Sequence, residues 1–475
     1  MKINHIYKKI SLSIIMLVCF SFSGCKKFVD IPEPIDTIPS DLVFTSDSKA
    51  DAAVRNLYLN MVGGVNAGFG GGLQIALGVS SDELTVTVAT NQFNDFFIHT
   101  VNAGTTANAN QYNPLYSIIY SCNAIIEGIT KAPAGMTAAG KARFMGEAKF
   151  IRAAMYFYLI NMYGDVPMPT TTDYVANSNI AKTPLAQVYE LIINDLKFAQ
   201  TNLPAPYLNP TQRFRANRYS ASALLSRVYL YRQDWVNAEL MATEVIDALN
   251  GASKFYDLET DLSKTFLIGS KEAILQMPPI STINYTYEAF SFISTGVPNY
   301  QISDALYATF EPGDLRKTNW IKTNTITTGG VPKAYNFPFK YKINSGAGGA
   351  KTEGTVFLRI SEVYLNRAEA RAQQNKLALA ISDLDVIRGR SGITKIAITN
   401  PSISQADLLS TLAHERFVEL FQEFGHRWLD LKRTGKADEV LKNTPNWRPE
   451  AKLFPFPANE IKYNPSLIQN PGYSN

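Results

Sequence analysis

Residues 223–246 read ALLSRVYLYRQDWVNAELMATEVI, and 142 positions further on residues 365–387 read LNRAEARAQQNKLALAISDLDVI. At that shift Leu225 falls on Arg367, Trp235 on Leu377, Ala238 on Ala380 and Val245 on Ile387. Each copy is a helical stretch, a short polar turn and a second helical stretch with a bulky residue three positions before an Ala. The Ala suits the place where two helices of a hairpin approach closely, because a larger side chain would push them apart. A hairpin of this kind cannot bury its apolar face alone, so a repeated one implies a stack.

This is the tetratricopeptide (TPR) pattern. Working outward from it, helical periodicity also predicts helices from about Ser46 and over 112–129, 138–162, 185–201, 220–232, 235–249, 356–373, 377–390 and 405–424. In the longest, Phe150, Ala153, Ala154, Phe157, Tyr158 and Asn161 recur at three- and four-residue steps, and Gly164 followed by Pro167 marks its end. Residues 63–78 are glycine-rich, and 252–355 are rich in Gly, Pro, Thr and Asn with short β-prone runs. The expected fold is mainly α, a TPR-like helical-repeat scaffold with a loop-rich, irregular region packed on it. The expected body is residues 46–475: a helical part 46–250 with a loop insert 63–110, a loop-rich ligand region 251–355, and a C-terminal helical part 356–475.

The chain has 475 residues, 46% of them hydrophobic and 18% charged, which argues against disorder and coiled coil. Lys2, Lys8 and Lys9 precede an apolar run, 10–22, that is too short to cross a bilayer and is followed by Ser23-Gly24-Cys25. Residues 1–24 therefore read as a lipoprotein signal peptide. Cys25 is the expected lipid acceptor, although Phe22 departs from the usual Leu, and ordinary signal-peptidase cleavage nearby is the alternative. Residues 25–45, with Pro32, Pro34 and Pro39, read as an extended tether. Multiple acyl chains, each CH₂ contributing about 0.8 kcal/mol when buried, would make a stable anchor. Of three cysteines, Cys19 leaves with the signal and Cys25 is acylated, so Cys122 has no disulfide partner and reads as a small core residue.

Sites for metal or nucleotide chemistry are poorly supported. His414-Glu415 begins like a zinc-protease helix, but Val418 stands where the second His is needed. Gly68, Gly70, Gly71 and Gly72 are followed by no P-loop Lys-Ser/Thr pair, so a flexible loop is the simpler reading. No Gly-x-Ser-x-Gly elbow occurs. No metal and no cofactor are expected. Asp82-Glu83 is a possible glycosidase carboxylate pair, but neighbours in sequence point in different directions. Glu415, Glu419 and Glu423, with Arg388, Arg390, Arg416, Arg427, Asp430, Lys432 and Arg433, read as structural ion pairs.

Aromatics in loops carry more information. A flat ring presents an apolar face to the C–H face of a sugar, while amides and carboxylates beside it bond the hydroxyls. Phe93, Phe96 and Phe97 lie in an aperiodic polar segment near Asn91 and Asp82. Tyr285, Tyr287, Phe290, Phe292, Tyr300 and Trp320 crowd the irregular region. The candidate ligand-binding residues are Phe93, Phe96, Phe97, Asn91, Asp82, Tyr285, Tyr287 and Trp320; the competing reading is that these rings pack the loops onto the helices.

Several stretches resemble one family, the SusD/RagB outer-membrane lipoproteins of Bacteroidetes. They are GEAKFIRAAMYFYLINMYGDVPMP (146–169), FLRISEVYLNRAEARA (357–372), DLDVIRGRSG (383–392), HERFVELFQEFGHRWLDLKRTG (414–435) and LFPFPANEIKYNPSLIQNPGY (453–473). The resemblance implies a TPR-containing, non-enzymatic protein, lipid-anchored in the outer membrane and facing the cell exterior. It implies capture of oligosaccharides, or in some members peptides, for a SusC-like TonB-dependent transporter. Matched positions such as Glu147, Arg152, Arg359, Glu362 and Arg367 belong to the scaffold. A surface glycoside hydrolase is the remaining alternative. No nucleic-acid partner is expected: removal of the signal's three lysines leaves 42 Lys+Arg against 41 Asp+Glu. So even a balance suits uncharged oligosaccharides.

Overall fold

The 142-residue shift holds in space. A computed structural model describes residues 43–474 apart from 66, 133–134, 279, 281 and 347–349; the signal peptide, Cys25 and residues 26–42 of the tether lie outside the described residues. Helix makes up 53% of the described residues and strand 9%, a mainly α fold. The N-terminal helices are α1 (Asp47–Val62), α2 (Leu73–Ser80), α3 (Thr106–Lys131), α4 (Ala138–Tyr163) and α5 (Leu185–Asn202). The first repeat hairpin is α6 (Arg218–Tyr231) and α7 (Trp235–Ile246). After α8 (Tyr287–Phe292) and α9 (Leu315–Trp320) comes the second, α10 (Ile360–Gln373) and α11 (Leu377–Arg390), followed by α12 (Gln405–Glu419) and α13 (His426–Arg433). The bounds of α6 and α10 coincide at the shift, and so do the starts of α7 and α11. The turns match as well, since Gln233 and Asn375 both take left-handed φ values, 58° and 59°. Ala238 and Ala380 are fully buried, as a close helix approach requires.

Successive helices pack on one another in the order α3, α4, α5, α6, α7, α10, α11, with α12 against α10. This is a quasi-one-dimensional stack. Local chemistry starts and stops its members. Thr137 caps α4 by accepting from the Gly140 N–H at 2.9 Å, and Asn217 with Ser220 forms a capping box on α6. Gly164, at φ 77°, ends α4 where the sequence predicts a stop. Helix α4 is the centre of the N-terminal half, burying Phe150, Phe157, Tyr158 and Leu159 among its neighbours.

The strands are short. β1 (Leu84–Val86) pairs antiparallel with β3 (Tyr300–Ile302), with Val86 opposite Tyr300. β2 (Ala273–Gln276) pairs with β6 (Val356–Arg359), and β4 (Ile321–Thr328) with β5 (Val331–Pro338) forms a hairpin turning at Gly329 and Gly330.

Four expectations need correction. Residues 356–359 form β6 and are not the first turn of a helix: this buried Val-Phe-Leu-Arg run has a strand partner that no local pattern reveals. Helix α12 stops at Glu419 instead of continuing to 424, because Gln422, Phe424 and Gly425 take left-handed φ values of 57°, 44° and 71°. A Cβ at Gly425 would sit 2.3 Å from Leu77 Cδ1. Helix α3 starts six residues before the expected 112, because Asn108 is satisfied in the core, donating to Pro455 O at 2.7 Å and accepting from the Tyr163 hydroxyl at 2.9 Å. The glycine cluster is a buried π-helical turn (Gly68–Gly72) leading into α2 and is no flexible loop. Side chains at Gly70 and Gly71 would collide with Val62 O and Gly64 O, at 2.5 and 2.0 Å.

Candidate functional site

The loop-rich region is fixed to the helices by buried charge. Arg316 on α9 reaches Asp314 at 2.8 Å, Glu415 at 2.5 Å and Glu419 at 2.9 Å. Arg359, ending β6, reaches Glu272 at 3.2 Å, Glu419 at 2.5 Å and Glu423 at 2.6 Å. Arg390 bridges Glu272 and Glu419 at 2.6 and 2.5 Å, and Lys340 pairs with Glu423. Burial alone would raise the Glu419 pKa, but Arg390, Arg359 and Arg316 overcome it and hold the carboxyl well below the ordinary range. Elsewhere Arg416 pairs with Asp430, and Arg433 with Asp430 and Glu369. The ion-pair reading of these carboxylates and arginines therefore agrees with the geometry; Lys432 is the exception, donating to the Asn161 carbonyl. Glu311, His414 and Glu415 also converge. Arg388 lies between the two carboxylates, at 2.7 and 3.2 Å, so a guanidinium already provides the counter-charge there.

The scaffold positions a cleft of about 200 Å³ where the β1–β3 pair meets α8, lined by Val65, Asn91, Gln92, Phe290, Ser291 and Asn299, with Tyr300 below. The antiparallel pairing brings the two sides together: Thr87 N–H donates to Asn299 O at 3.1 Å, and the Tyr300 hydroxyl bonds Asn91 Oδ1 at 3.0 Å. Asn91 Oδ1 also accepts from the Phe93 N–H at 2.9 Å, which fixes the amide plane. On the opposite wall the exposed Phe290 stacks on Tyr285, with centroids 5.4 Å apart and planes inclined by 18°. Ser291 Oγ is buried and unpaired among the described residues. Buried polar atoms nearly always have a partner, so an unpaired one in a cleft marks a place for a ligand hydroxyl or a water.

Helix α8 is held from behind. Glu288 accepts from Gln74 Nε2 at 2.7 Å and from the Thr355 hydroxyl at 2.9 Å. Burial pushes its pKa up to about 7 against these hydrogen bonds, which act in the other direction.

The structure divides the predicted site residues. Asn91 and Tyr285 belong to the cleft and its aromatic wall. Tyr287 is the first residue of α8 and, with Tyr285, lines a smaller void of about 20 Å³ next to Val62 and Met277. Phe93, Phe96 and Trp320 are corrected: all three are buried and offer no free face. Phe96 packs edge-on to Phe454, and the Trp320 indole N–H donates to Leu262 O at 3.1 Å. Phe97 is half-buried on a short helix, Asn94–Phe97, and does not line the cleft. Asp82 is held by Arg427 through two bonds of 2.6 and 2.7 Å, and Glu83 is buried, accepting from the Gln422 N–H at 2.7 Å. The two carboxylates are thus engaged in the scaffold and do not form an exposed acid–base pair. Phe290 is one of the loop aromatics of the sequence but not one of the eight candidates, and Gln92, Ser291 and Asn299 are not among them either. Only Phe290's spacing from Tyr287 on a helix with one exposed face could have signalled any of them.

Cys122 is buried, and burial pushes its thiol pKa up, as a core residue requires. No helix among the described residues is long and apolar enough to cross a membrane.

Comparison with known proteins supplies context. The model for the SusD family matches residues 306–473, and one described as starch-binding, associating with outer membrane, matches residues 27–230. A SusD-like protein P25 of Formosa agariphila is 22% identical, covering 98% of this chain and 99% of its own. The starch-binding protein SusD of Bacteroides thetaiotaomicron is 23% identical over 71% of this chain and 74% of its own. Among solved structures, a SusD superfamily protein from Bacteroides vulgatus superposes with a TM-score of 0.79 at 18% identity, over 90% of this chain and 100% of its own. A laminarin-binding SusD-like protein does so with a TM-score of 0.73 at 24% identity, over the same shares. These likenesses show the fold.

Proposed function

The chain belongs to the SusD/RagB family, and from that premise we propose that it is a cell-surface lipoprotein that binds oligosaccharides and delivers them to a SusC-like TonB-dependent transporter. The observation that carries the binding step is the cleft, where a stacked aromatic wall faces amide groups and an unpaired buried hydroxyl. A pyranose ring laid on Phe290 would bury its C–H face, while Asn91, Asn299 and Ser291 would bond its hydroxyls. The starch-binding and laminarin-binding relatives support glycan as the ligand class. The reading involves no catalytic step, and Asp82 and Glu83 act in it as scaffold residues.

The outer-membrane description of the model matching residues 27–230 supports the location. Anchoring through Cys25, exposure to the exterior and the transporter partner belong to the proposal. Glycan-panel affinity electrophoresis of the soluble body tests the ligand. Retardation by neutral polysaccharides, lost in Asn91→Ala, is expected; retention on peptide columns with no response to any glycan would favour the peptide alternative. Cys25→Ala is expected to move the protein out of the membrane fraction, and a variant that stays there would defeat the lipid anchor.

A further inference from the structure

We propose that the cleft continues past Gln92 into a second subsite, and that the two together accept a neutral glycan chain of several sugar units while disfavouring acidic ones. The proposal rests on the glycan-binding reading above. Gln92 lines both the cleft and a broader hollow of about 410 Å³ whose other walls include Asp95, Asn102, Gly104, Thr105 and Thr106. The cleft alone falls short of the roughly 300–1,000 Å³ usual for small-ligand sites, and the joined groove falls inside that range.

The crest between the two parts is rigid. Asn94 N–H donates to Asn91 O at 2.9 Å, and the buried Phe93 ring anchors the turn from below. Gln92 projects from this turn, exposed, with no hydrogen bond among the described residues, so it can bond a chain crossing from one side to the other.

The second hollow is preorganised. Gly104 N–H donates to Asn102 Oδ1 at 2.9 Å, and Asn102 N–H donates to Thr105 Oγ1 at 3.0 Å. The Thr100 and Thr105 hydroxyls donate to the Asp95 carboxylate at 3.2 and 3.4 Å. Ligand affinity is not diminished by ordering a loop that is already ordered. The Thr106 hydroxyl makes no hydrogen bond among the described residues and remains available.

Charge sets the ligand class. Among the described residues lining either part none is cationic, and the one carboxylate is Asp95. Its carboxylate accepts from the hydroxyl of Thr105, the residue preceding α3, at 3.4 Å, which fixes a negative charge in the hollow. A uronate or sulfate there meets the like charge of Asp95, with no cation lining the hollow among the described residues. Neutral hydroxyls lose nothing by it.

Calorimetric titration of the soluble body with malto-, laminari- and manno-oligosaccharides, from disaccharide to octasaccharide, tests this. The same ladders oxidised at C6 to uronates serve as the acidic probe. Affinity for at least one neutral ladder is expected to rise with length and then level off. Thr106→Trp, which fills the second hollow, is expected to remove the gain from length while leaving disaccharide binding intact. Oxidation is expected to weaken binding at least about tenfold, a change of about 1.4 kcal/mol. Length dependence unchanged in Thr106→Trp, no length dependence in the wild type, or uronates bound as tightly as their parents would overturn the proposal and leave the glycan-binding reading standing. Failure of every ladder to bind would remove both.

Discussion

Two buried carboxylates, one in the repeat stack and one behind the cleft, show how differently the two regions are built. Glu362 on α10 receives the Arg227 guanidinium through two bonds of 2.6 Å. Burial would raise its pKa, but Arg227 reverses the effect and brings it to about 2. Glu288 on α8 has hydrogen bonds from Gln74 and Thr355 but no ion pair among the described residues, and burial takes it to about 7. The Arg227–Glu362 pair in the stack thus stays ionised down to about pH 2. The wall that carries Phe290 and Ser291 depends on a carboxyl that titrates near neutrality. The difference places charge in the scaffold and leaves the cleft neutral, with polar groups free for a ligand.

The harshest way to break this contrast is to open the charge network. Glu419→Ala leaves Arg316, Arg359 and Arg390 short of a partner in the core, and removing one member of a buried pair typically costs about 3–5 kcal/mol. Chemical denaturation should show a loss of that order or no folded protein; a change below about 1 kcal/mol would show that the network does not hold the two regions together.

A smaller effect separates the carboxylates by pH. Glu362, lowered in the folded state, contributes stability that is present above the ordinary carboxyl value of 4.5 and lost as pH falls through about 2. Glu288 has the opposite sign. Between pH 4.5 and about 7 the unfolded chain releases the proton while the folded one keeps it, so stability falls across that window and stays lower above it, by roughly 3 kcal/mol at most. Denaturation midpoints measured across that range should fall less steeply in Glu288→Gln than in the wild type. Parallel curves would show that the Glu288 carboxyl is not what titrates.

The mildest change removes only the aromatic wall. Phe290→Ala should weaken glycan binding about tenfold, the scale of one ring contact of about 1.4 kcal/mol, with the melting temperature nearly unchanged because the ring is exposed. Phe93→Ala should do the reverse, lowering stability by about 3–5 kcal/mol through a core cavity. A Phe290→Ala variant with full affinity would detach the wall from binding.

The scaffold was legible because its signals are local. The buried Ala of each hairpin, the Gly that ends α4 and the opposed charges near the C-terminus all lie in periodic sequence. The cleft was legible only in part. Asn91 and Asn299 become neighbours through the pairing of β1 with β3, across more than two hundred residues of chain, and no local pattern carries that register. Trp320 has the composition of a ligand platform, but its indole N–H is satisfied at Leu262 and its ring packs against Phe266. The glycines before α2 suggest mobility in isolation, yet they are small because backbone carbonyls lie against them. Composition marks an aromatic-rich irregular region, and tertiary contacts decide which of its residues face solvent.

The most direct test fills the cleft without disturbing the core. Asn299 is exposed, and its backbone carbonyl, not its side chain, maintains the strand pairing through Thr87. Titration of wild type and Asn299→Trp with a glycan that the wild type binds should show binding abolished in the variant at an unchanged melting temperature. Undiminished binding by a folded Asn299→Trp would contradict the assignment of this cleft as the glycan site.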